Sequence, residues 1–594
     1  MRRILLILCL MLSSIALSQN ELRAQNYFEK GEYKKALITY TKLYKQSSSR
    51  LEYLMAMVEC NQQLEQFDEA EKLLQEKLKG KRKMPQLWVE LGYNFSLQQK
   101  DSLATVNYKR AIDDIDENHS YAYQIGKTFQ KYALLDEATT SYEKAMKLNP
   151  EKDYNSQLAR IYGEQGKLKE MFEKYINLIN KRPIYKSTAQ RNFSSFVNEN
   201  PNNEANKTLR KVLLRKIQDH PNILYNDLLS WLFIQQKEYK KAFIQEKAIY
   251  NRMEDQDVES IIELAFIAMA DEDYESATKI VNFVIEEAAT PEQELDGKQY
   301  LMNIALKTAK KADYDEIEKK FEALLDEYGR GRNTYRLQLD YNYFLAFQHD
   351  KKDKAIENLK SLLKKRMTQY QEARIKMKLA DILVFDEKFN EALIYYSQIQ
   401  KKIKGDILAQ EARYKVAKTS YYKGDFVWAK IQLDVLKRST SQLIANDAMQ
   451  LSFIIQDNSV EDSTQTALKK FAHADLLALQ KKDKEAIQEL NVILEEHKGE
   501  KIEDEVLLKL GELYEAIGFY EKAEESYSKL IEFYKEDILA DDAHFKLAKL
   551  YETKLNDVAK AQELYELIIF NYSDSIFFVE ARKRFRMLRG DEIN

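Results

Sequence analysis

Trp88-x-x-Leu91-Gly92-x-x-Phe95, followed by Ala104-x-x-x-Tyr108-x-x-Ala111, is the stretch on which the fold turns. The next segment repeats it as Ile125-Gly126-x-x-Phe129, then Ala138-x-x-x-Tyr142-x-x-Ala145, ending at Pro150. Ala104 to Ala138 is 34 residues. A third copy reads Leu158-Ala159-x-x-Tyr162, then Met171-x-x-x-Tyr175-x-x-Leu178, ending at Pro183. The spacings place Leu91, Gly92 and Phe95 on one face of a first helix, and Ala104, Tyr108 and Ala111 on one face of a second. Small residues at Gly92 and Ala104 let the two backbones approach, and the aromatics fill the space between successive units. A two-helix unit cannot bury its own apolar face, so units stack.

Working outward, the small residue of the second helix recurs at Ala36, Ala70, Ala242, Ala277, Ala355, Ala392, Ala429, Ala486, Ala523 and Ala561. An aromatic or leucine follows four residues later at Tyr40, Leu74, Leu359, Tyr396, Leu433, Leu490, Tyr527 and Tyr565, whereas Glu246 and Val281 stand there in two units. Ile317 and Phe321 mark a weaker unit between Ala277 and Ala355. The pattern resembles the tetratricopeptide repeat. That resemblance implies an all-α chain: a solenoid of helix-turn-helix repeats forming a right-handed superhelix. From Ala355 the period lengthens to 37, and text such as Ala540-Asp541-Asp542-Ala543-x-Phe545-x-Leu547-Ala548 resembles the repeats of bacterial envelope assembly proteins.

Composition agrees. The chain has 594 residues, 44% of them hydrophobic and 32% charged, enough apolar surface for a packed core. It holds 15 glycines and 6 prolines, where average usage would give roughly 70 in all. Sheet-rich folds need turn residues at every corner, so the scarcity favours helix after helix. Acidic residues number 96 against 92 basic, a balance that lacks the basic footprint of a nucleic-acid binder.

Arg2 and Arg3, the apolar run Ile4 to Leu12, and Ala16-x-Ser18 read together as a secretory signal peptide over residues 1–18. The apolar stretch falls short of the about 20 residues that span a bilayer. Cleavage after Ser18 leaves Gln19 first, with 90 basic and 96 acidic residues and one cysteine, Cys60. A lone cysteine forms no internal disulfide, and Cys60, at the end of an apolar run, reads as a small buried hydrophobe.

Two places interrupt the rhythm. Between Pro183 and Pro221 the motif is unreadable, with a loop at Asn198 to Asn203; residues 456–465 have turn composition. Thr440 to Ile455 reads as an extra helix before that second break. The sequence therefore divides into an N-terminal solenoid over 19–183, a middle block over 184–455, the polar loop 456–465 and a C-terminal block over 466–594. The last block ends in a capping helix, with Asp574 or Ser575 as N-cap, an apolar stripe of Phe578, Ala581, Phe585 and Leu588, and Arg582, Arg586 and Arg589 on other faces.

No motif for chemistry stands out. The six histidines are scattered, none in a His-Glu-x-x-His pair, and no phosphate-binding glycine loop or Gly-x-Ser-x-Gly is present. Asp113-Asp114-Ile115-Asp116-Glu117-Asn118 lacks the glycine and terminal glutamate of a calcium loop, so it reads as a solvated turn. Asp541-Asp542-Ala543-His544 reads as a helix start with acidic residues in its first turn, and the basic run Lys77 to Lys83 as an exposed linker. No cofactor, metal or catalytic residue is expected.

The resemblance adds a binding face. In tetratricopeptide arrays the first helices of successive units line a concave groove where peptides or partner helices bind. By phase, Val89, Tyr93 and Ser96 should face it, then Tyr123, Lys127 and Gln130 with Lys131 nearby, then Arg160. Tyr93, Tyr123, Lys127, Lys131 and Arg160 would form an aromatic and cationic patch suited to an acidic or carboxylate-ended peptide. The asparagines of the chaperone-tail clamp are not evident, since Glu90 and Gln124 stand in their places. The expected function is a non-catalytic protein-interaction scaffold of the periplasm or cell envelope, with no nucleic-acid partner and no transmembrane segment after cleavage. The alternative is glycan or peptidoglycan binding through the groove tyrosines.

Overall fold

The computed structural model describes residues 20–438, 441–459 and 464–591, apart from the side chain at 442. The expected signal peptide lies outside them, as do residues 460–463 of the second break. Among the described residues all regular structure is helical. The chain falls into two compact units, residues 1–257 and 258–594.

The first unit is a run of helix pairs. A helix over 20–29 precedes Tyr33–Gln46, and Leu51–Gln63 pairs with Phe67–Leu78. The three quoted repeats follow as Gln86–Ser96 with Asp101–Glu117, Ala122–Lys131 with Leu135–Leu148, and Asn155–Glu164 with Leu168–Lys181. The unreadable stretch after Pro183 is helical too: Lys186–Phe193 and Glu204–Asp219 continue the run before Ile223–Gln235 and Tyr239–Tyr250. Phe193, Leu209, Val212 and Leu213 are buried there, and polar contacts are added beside them. Asn206, fully buried, donates to the carbonyls of Asn198 and Asn200 at 2.8 and 2.7 Å and so ties down the 198–203 loop. Asn203 caps the following helix by accepting from the backbone of Ala205.

The second unit pairs Glu259–Ala270 with Tyr274–Glu286, Pro291–Thr308 with Tyr314–Tyr328, Tyr335–Phe347 with Lys352–Leu362, Gln369–Phe385 with Phe389–Lys402, and Ile407–Tyr422 with Phe426–Leu436. Gln442–Asp457 is the expected extra helix, and three more pairs follow from Thr466 to Asn571. The last helix, Phe578–Arg589, packs on Val558–Asn571 through buried Ala581 and partly buried Phe585 and Leu588. Arg584 pairs with Glu552 at 2.9 Å, and Arg586 and Arg589 with Asp591.

Packing follows the repeat closely. Every alanine named above as the small second-helix residue is buried, and so are nearly all the residues four positions later. A Cβ added to Gly92 would lie 2.4 Å from the Tyr108 ring; at Gly126 it would meet Tyr142 at 2.4 Å, and at Gly511 it would meet Tyr527 at 2.3 Å. In each case the glycine makes room for the tyrosine of its own unit, sixteen residues on. Tyr108 then reaches the next unit, edge-on to Phe129 at 5.6 Å.

A second periodicity lies in the backbone. Five residues before each small second-helix residue, the turn inside the unit adopts positive φ. Glycine supplies it at Gly31, Gly166, Gly424 and Gly518, but Glu65, Gln99, Ala133, Lys237, Glu272, Asp350, Glu387, Lys481 and Asn556 also carry it. Left-handed backbone costs a non-glycine residue roughly 1–2 kcal/mol, so the packing of the two helices imposes this turn against local preference.

Candidate protein-interaction surface

Three consecutive first helices bring their side chains together in the first unit. Leu51–Gln63 contributes Glu59, Gln86–Ser96 contributes Glu90 and Tyr93, and Ala122–Lys131 contributes Lys131, with Lys127 and Tyr123 one and two turns before it on the same helix. Lys131 donates to Glu59 at 2.5 Å and lies 3.5 Å from Glu90. The next residue, Tyr132, donates its hydroxyl to Glu90 and stacks on Tyr93 with ring centres 3.7 Å apart and planes 16° from parallel. The Lys131 ammonium sits 4.7 Å from the centre of the Tyr132 ring.

Burial pushes the Glu90 carboxyl up, and Lys131 and the Tyr132 hydroxyl only partly offset that. Burial alone would lower Lys131, but Glu90 and Glu59 overcome it and hold the ammonium above its ordinary range. Lys131 is thus consumed inside a lysine–glutamate–tyrosine cluster and adds no free positive charge. This corrects the expected cationic patch: Glu59 and Glu90 were not anticipated as its partners. Repeat phase puts both glutamates on first helices of adjacent units, but it does not show that they meet Lys131.

The remaining predicted residues divide. Tyr123 is 43% exposed, and Lys127 is exposed with no carboxylate partner among the described residues. Arg160 is exposed beside Tyr175, whose phenol burial raises and Arg160 draws back. Val89 does not face a groove; it is fully buried, because its side of the helix packs in the core. Gln130 is also engaged, accepting from the buried Tyr142 hydroxyl at 3.1 Å.

Other expectations resolve into pairing and burial. The acidic run Asp113 to Asn118 is not a turn but the last turns of Asp101–Glu117. Its carboxylates are used across unit boundaries: Asp114 and Glu117 pair with Lys83, and Asp116 with Lys144 at 2.7 Å. His544 is buried, with Nδ1 2.7 Å from the Ala540 carbonyl, and burial holds its pKa down. Cys60 is fully buried, and burial pushes its thiol up to about 12.

Asp315, Glu318 and His349 form the one group with metal-ligand atoms close together among the described residues, all within 4.8 Å. Lys351 and Lys354 already donate to Glu318 at 2.5 and 2.8 Å. Burial alone would raise Glu318, but those two lysines overcome it and hold the carboxyl at about 2. A divalent ion would have to displace both, so the group is an ion-pair network tying Tyr314–Tyr328 to the start of Lys352–Leu362.

No family model and no curated protein matches the chain. Solved structures similar to it include Naa15/Naa10 bound to HypK-THB, at 11% identity, TM-score 0.29, over 97% of this chain and 94% of that one. Yeast Tom70 is similar at 14% identity, TM-score 0.29, over 85% and 96%. The Cut9–Hcn1 hetero-tetramer of APC/C is similar at 12% identity, TM-score 0.20, over 96% and 96%. Likenesses at this level carry no argument. The assignment as a tetratricopeptide-like helical-repeat chain rests on its own helix pairs, its glycine–tyrosine contacts and its recurrent turn. Among the described residues no helix is long and apolar enough to cross a membrane.

Proposed function

We propose that this chain is a non-catalytic protein-interaction scaffold that takes a partner peptide or helix on the first-helix face of its N-terminal repeats, through Tyr93, Tyr123, Lys127, Lys131 and Arg160. The observation that carries the reading is the convergence of three consecutive first helices on one surface, with Tyr123 and Lys127 left open beside a fixed Tyr93–Tyr132–Lys131–Glu90 cluster. The cluster is preorganised, so little side-chain freedom is lost on binding. Lys127 is exposed without a carboxylate partner among the described residues, Arg160 is exposed beside Tyr175, and a carboxylate-bearing partner complements both. The signal-peptide pattern of residues 1–18 supports an exported protein working in the periplasm or at the cell envelope. Glycan stacking is less favoured, since Tyr132 covers one face of Tyr93.

The test is a Lys127→Glu/Arg160→Glu double variant of the mature chain, compared with wild type for partners retained from an envelope fraction. A specific protein should be retained by wild type, lost from the variant and released by salt, while the thermal midpoint stays nearly constant. Equal retention by both would refute this face as the site.

A further inference from the structure

The second unit carries a groove of about 630 Å³ built mainly from second helices of two successive repeats, Phe389–Lys402 and Phe426–Leu436, with Ile407–Tyr422 between them. Lys401, Lys404, Arg413 and Arg438 line it, and no carboxylate does. None of these four cations forms an ion pair among the described residues, whereas the neighbouring Lys402, Lys415 and Lys437 all hold carboxylates. The chain as a whole is net acidic, so a cluster of four unneutralised cations is a local feature and not a bulk one.

The same groove has an apolar wall. Trp428 and Val435 line it at 46% and 56% exposure. Val427 and Ile431 continue the stripe along the outer side of that helix at 73% and 50%, while Phe426, Ala429, Leu433 and Leu436 occupy the buried side. A solvent-facing stripe of this kind on a helix whose core side is already filled marks a contact surface. Tryptophan and arginine together are the residue types most enriched at the centres of protein interfaces.

We propose that this groove is a second partner site, and that it binds an acidic peptide segment of another protein. Apolar side chains of the segment seat on Trp428 and Val435, and its carboxylates pair with Lys401, Lys404, Arg413 and Arg438. Charge complementarity selects an anionic occupant. The apolar stripe selects a peptide over a nucleic acid or a lipid headgroup, neither of which uses a row of valine and isoleucine at helical spacing. The proposal rests on the scaffold reading for the class of ligand, but its residues, unit and helix set are separate from the Lys127 face.

The probe is a fluorescent peptide of about twelve residues alternating glutamate with leucine and phenylalanine, titrated by anisotropy against the full mature chain. The glutamine counterpart, oligothymidylate and phosphatidylglycerol vesicles are run in parallel. The acidic peptide should bind, weaken as salt rises, and bind at least tenfold more weakly to Lys401→Glu/Arg413→Glu. Trp428→Ala should also weaken it, and Lys127→Glu/Arg160→Glu should leave it unchanged. Circular dichroism confirms that each variant is folded. Absence of binding, equal binding of the glutamine peptide, or indifference to the Lys401/Arg413 and Trp428 changes would overturn the proposal. So would tighter binding of oligothymidylate or vesicles at these residues. Loss through Lys127→Glu/Arg160→Glu alone would move the peptide to the N-terminal face and overturn this site while leaving the scaffold reading intact.

Discussion

Gly126→Ala should destabilise the first unit, although alanine is the better helix former. The gain in helix propensity is up to about 1 kcal/mol. Against it, the new methyl would sit 2.4, 2.7 and 2.8 Å from three carbons of the Tyr142 ring, where ordinary contact begins near 3.4 Å. The ring must retreat by about 1 Å. Tyr142 has nowhere to go: it is fully buried, 5.0 Å from the Tyr154 ring and hydrogen-bonded to Gln130 at 3.1 Å. Overpacking of this kind costs about 1–3 kcal/mol, and a 1 Å intrusion into a fixed ring belongs at the upper end, leaving a net loss of about 2 kcal/mol. Gly163→Ala is the internal control. Its nearest neighbour is the Met171 sulfur at 3.1 Å, the flexible part of a side chain that can swing aside, so that change should be neutral or slightly stabilising. Native-state hydrogen exchange is the assay, because a long repeat array does not melt as one two-state unit. Protection should fall around residues 122–148 for Gly126→Ala, and Tyr142→Leu should restore part of it as a coupled pair. Undiminished protection in Gly126→Ala, or equal losses in both glycine variants, would refute the packing argument.

Ala133→Gly should stabilise the first unit by roughly 0.5–1 kcal/mol, since Ala133 holds φ at 55° and glycine removes that strain at a smaller entropic cost; a rise in its unfolding midpoint checks this. The Glu505 carboxyl is pushed up to about 9 by burial, reinforced by Asp504. A raised folded pKa means stability present at low pH and lost as pH climbs from the unfolded value toward 9, so Glu505→Gln should flatten the decline of the melting temperature between about pH 5 and 9. Asp475 pairs with Lys418 at 3.3 Å and Lys509 at 2.7 Å, which hold its carboxyl low against burial. Asp475→Asn leaves Lys418 unpaired and Lys509 only its 4.0 Å contact with Glu512, and should cost around 3 kcal/mol, the low end for breaking a buried pair, read by urea denaturation. Cys60 should resist thiol reagents at pH 8 in the native chain and react fully once unfolded, measured as released chromophore.

The helix pairs were legible because the sequence repeats a packing contact. Alanine followed four residues later by an aromatic or leucine marks the buried seam of most second helices. The within-unit turn was not legible. Its left-handed residue is glycine at only some units and glutamate, glutamine, lysine, alanine, aspartate or asparagine at the others, because tertiary packing sets the backbone there and overrides local preference. Between Pro183 and Pro221 buried apolar residues keep helical spacing at Ala205, Leu209, Val212 and Leu213, but no glycine–aromatic first-helix signature precedes them, and Asn206 and Asn203 hold the loop with polar contacts. On the candidate face, repeat phase puts Tyr93, Tyr123 and Lys127 on successive first helices, but charge and burial lie beyond it. Phase cannot show that Lys131 is claimed by Glu59 and Glu90 from two other helices, nor that Val89 points inward. The groove around Trp428 escaped notice because its residues lie mainly on second helices, where the repeat pattern directs attention to the buried alanine seam.

The proposed partner face on the first helices of the N-terminal repeats is tested most directly by site-specific photo-crosslinking in the producing cell, with a photoreactive phenylalanine placed at Tyr123 and, separately, at Ile184, which is 86% exposed and outside those three first helices. One discrete protein adduct is expected from position 123, absent from position 184 and abolished when Lys127→Glu/Arg160→Glu is combined with it. No adduct at 123, or the same adduct from both positions regardless of the charge change, would contradict it.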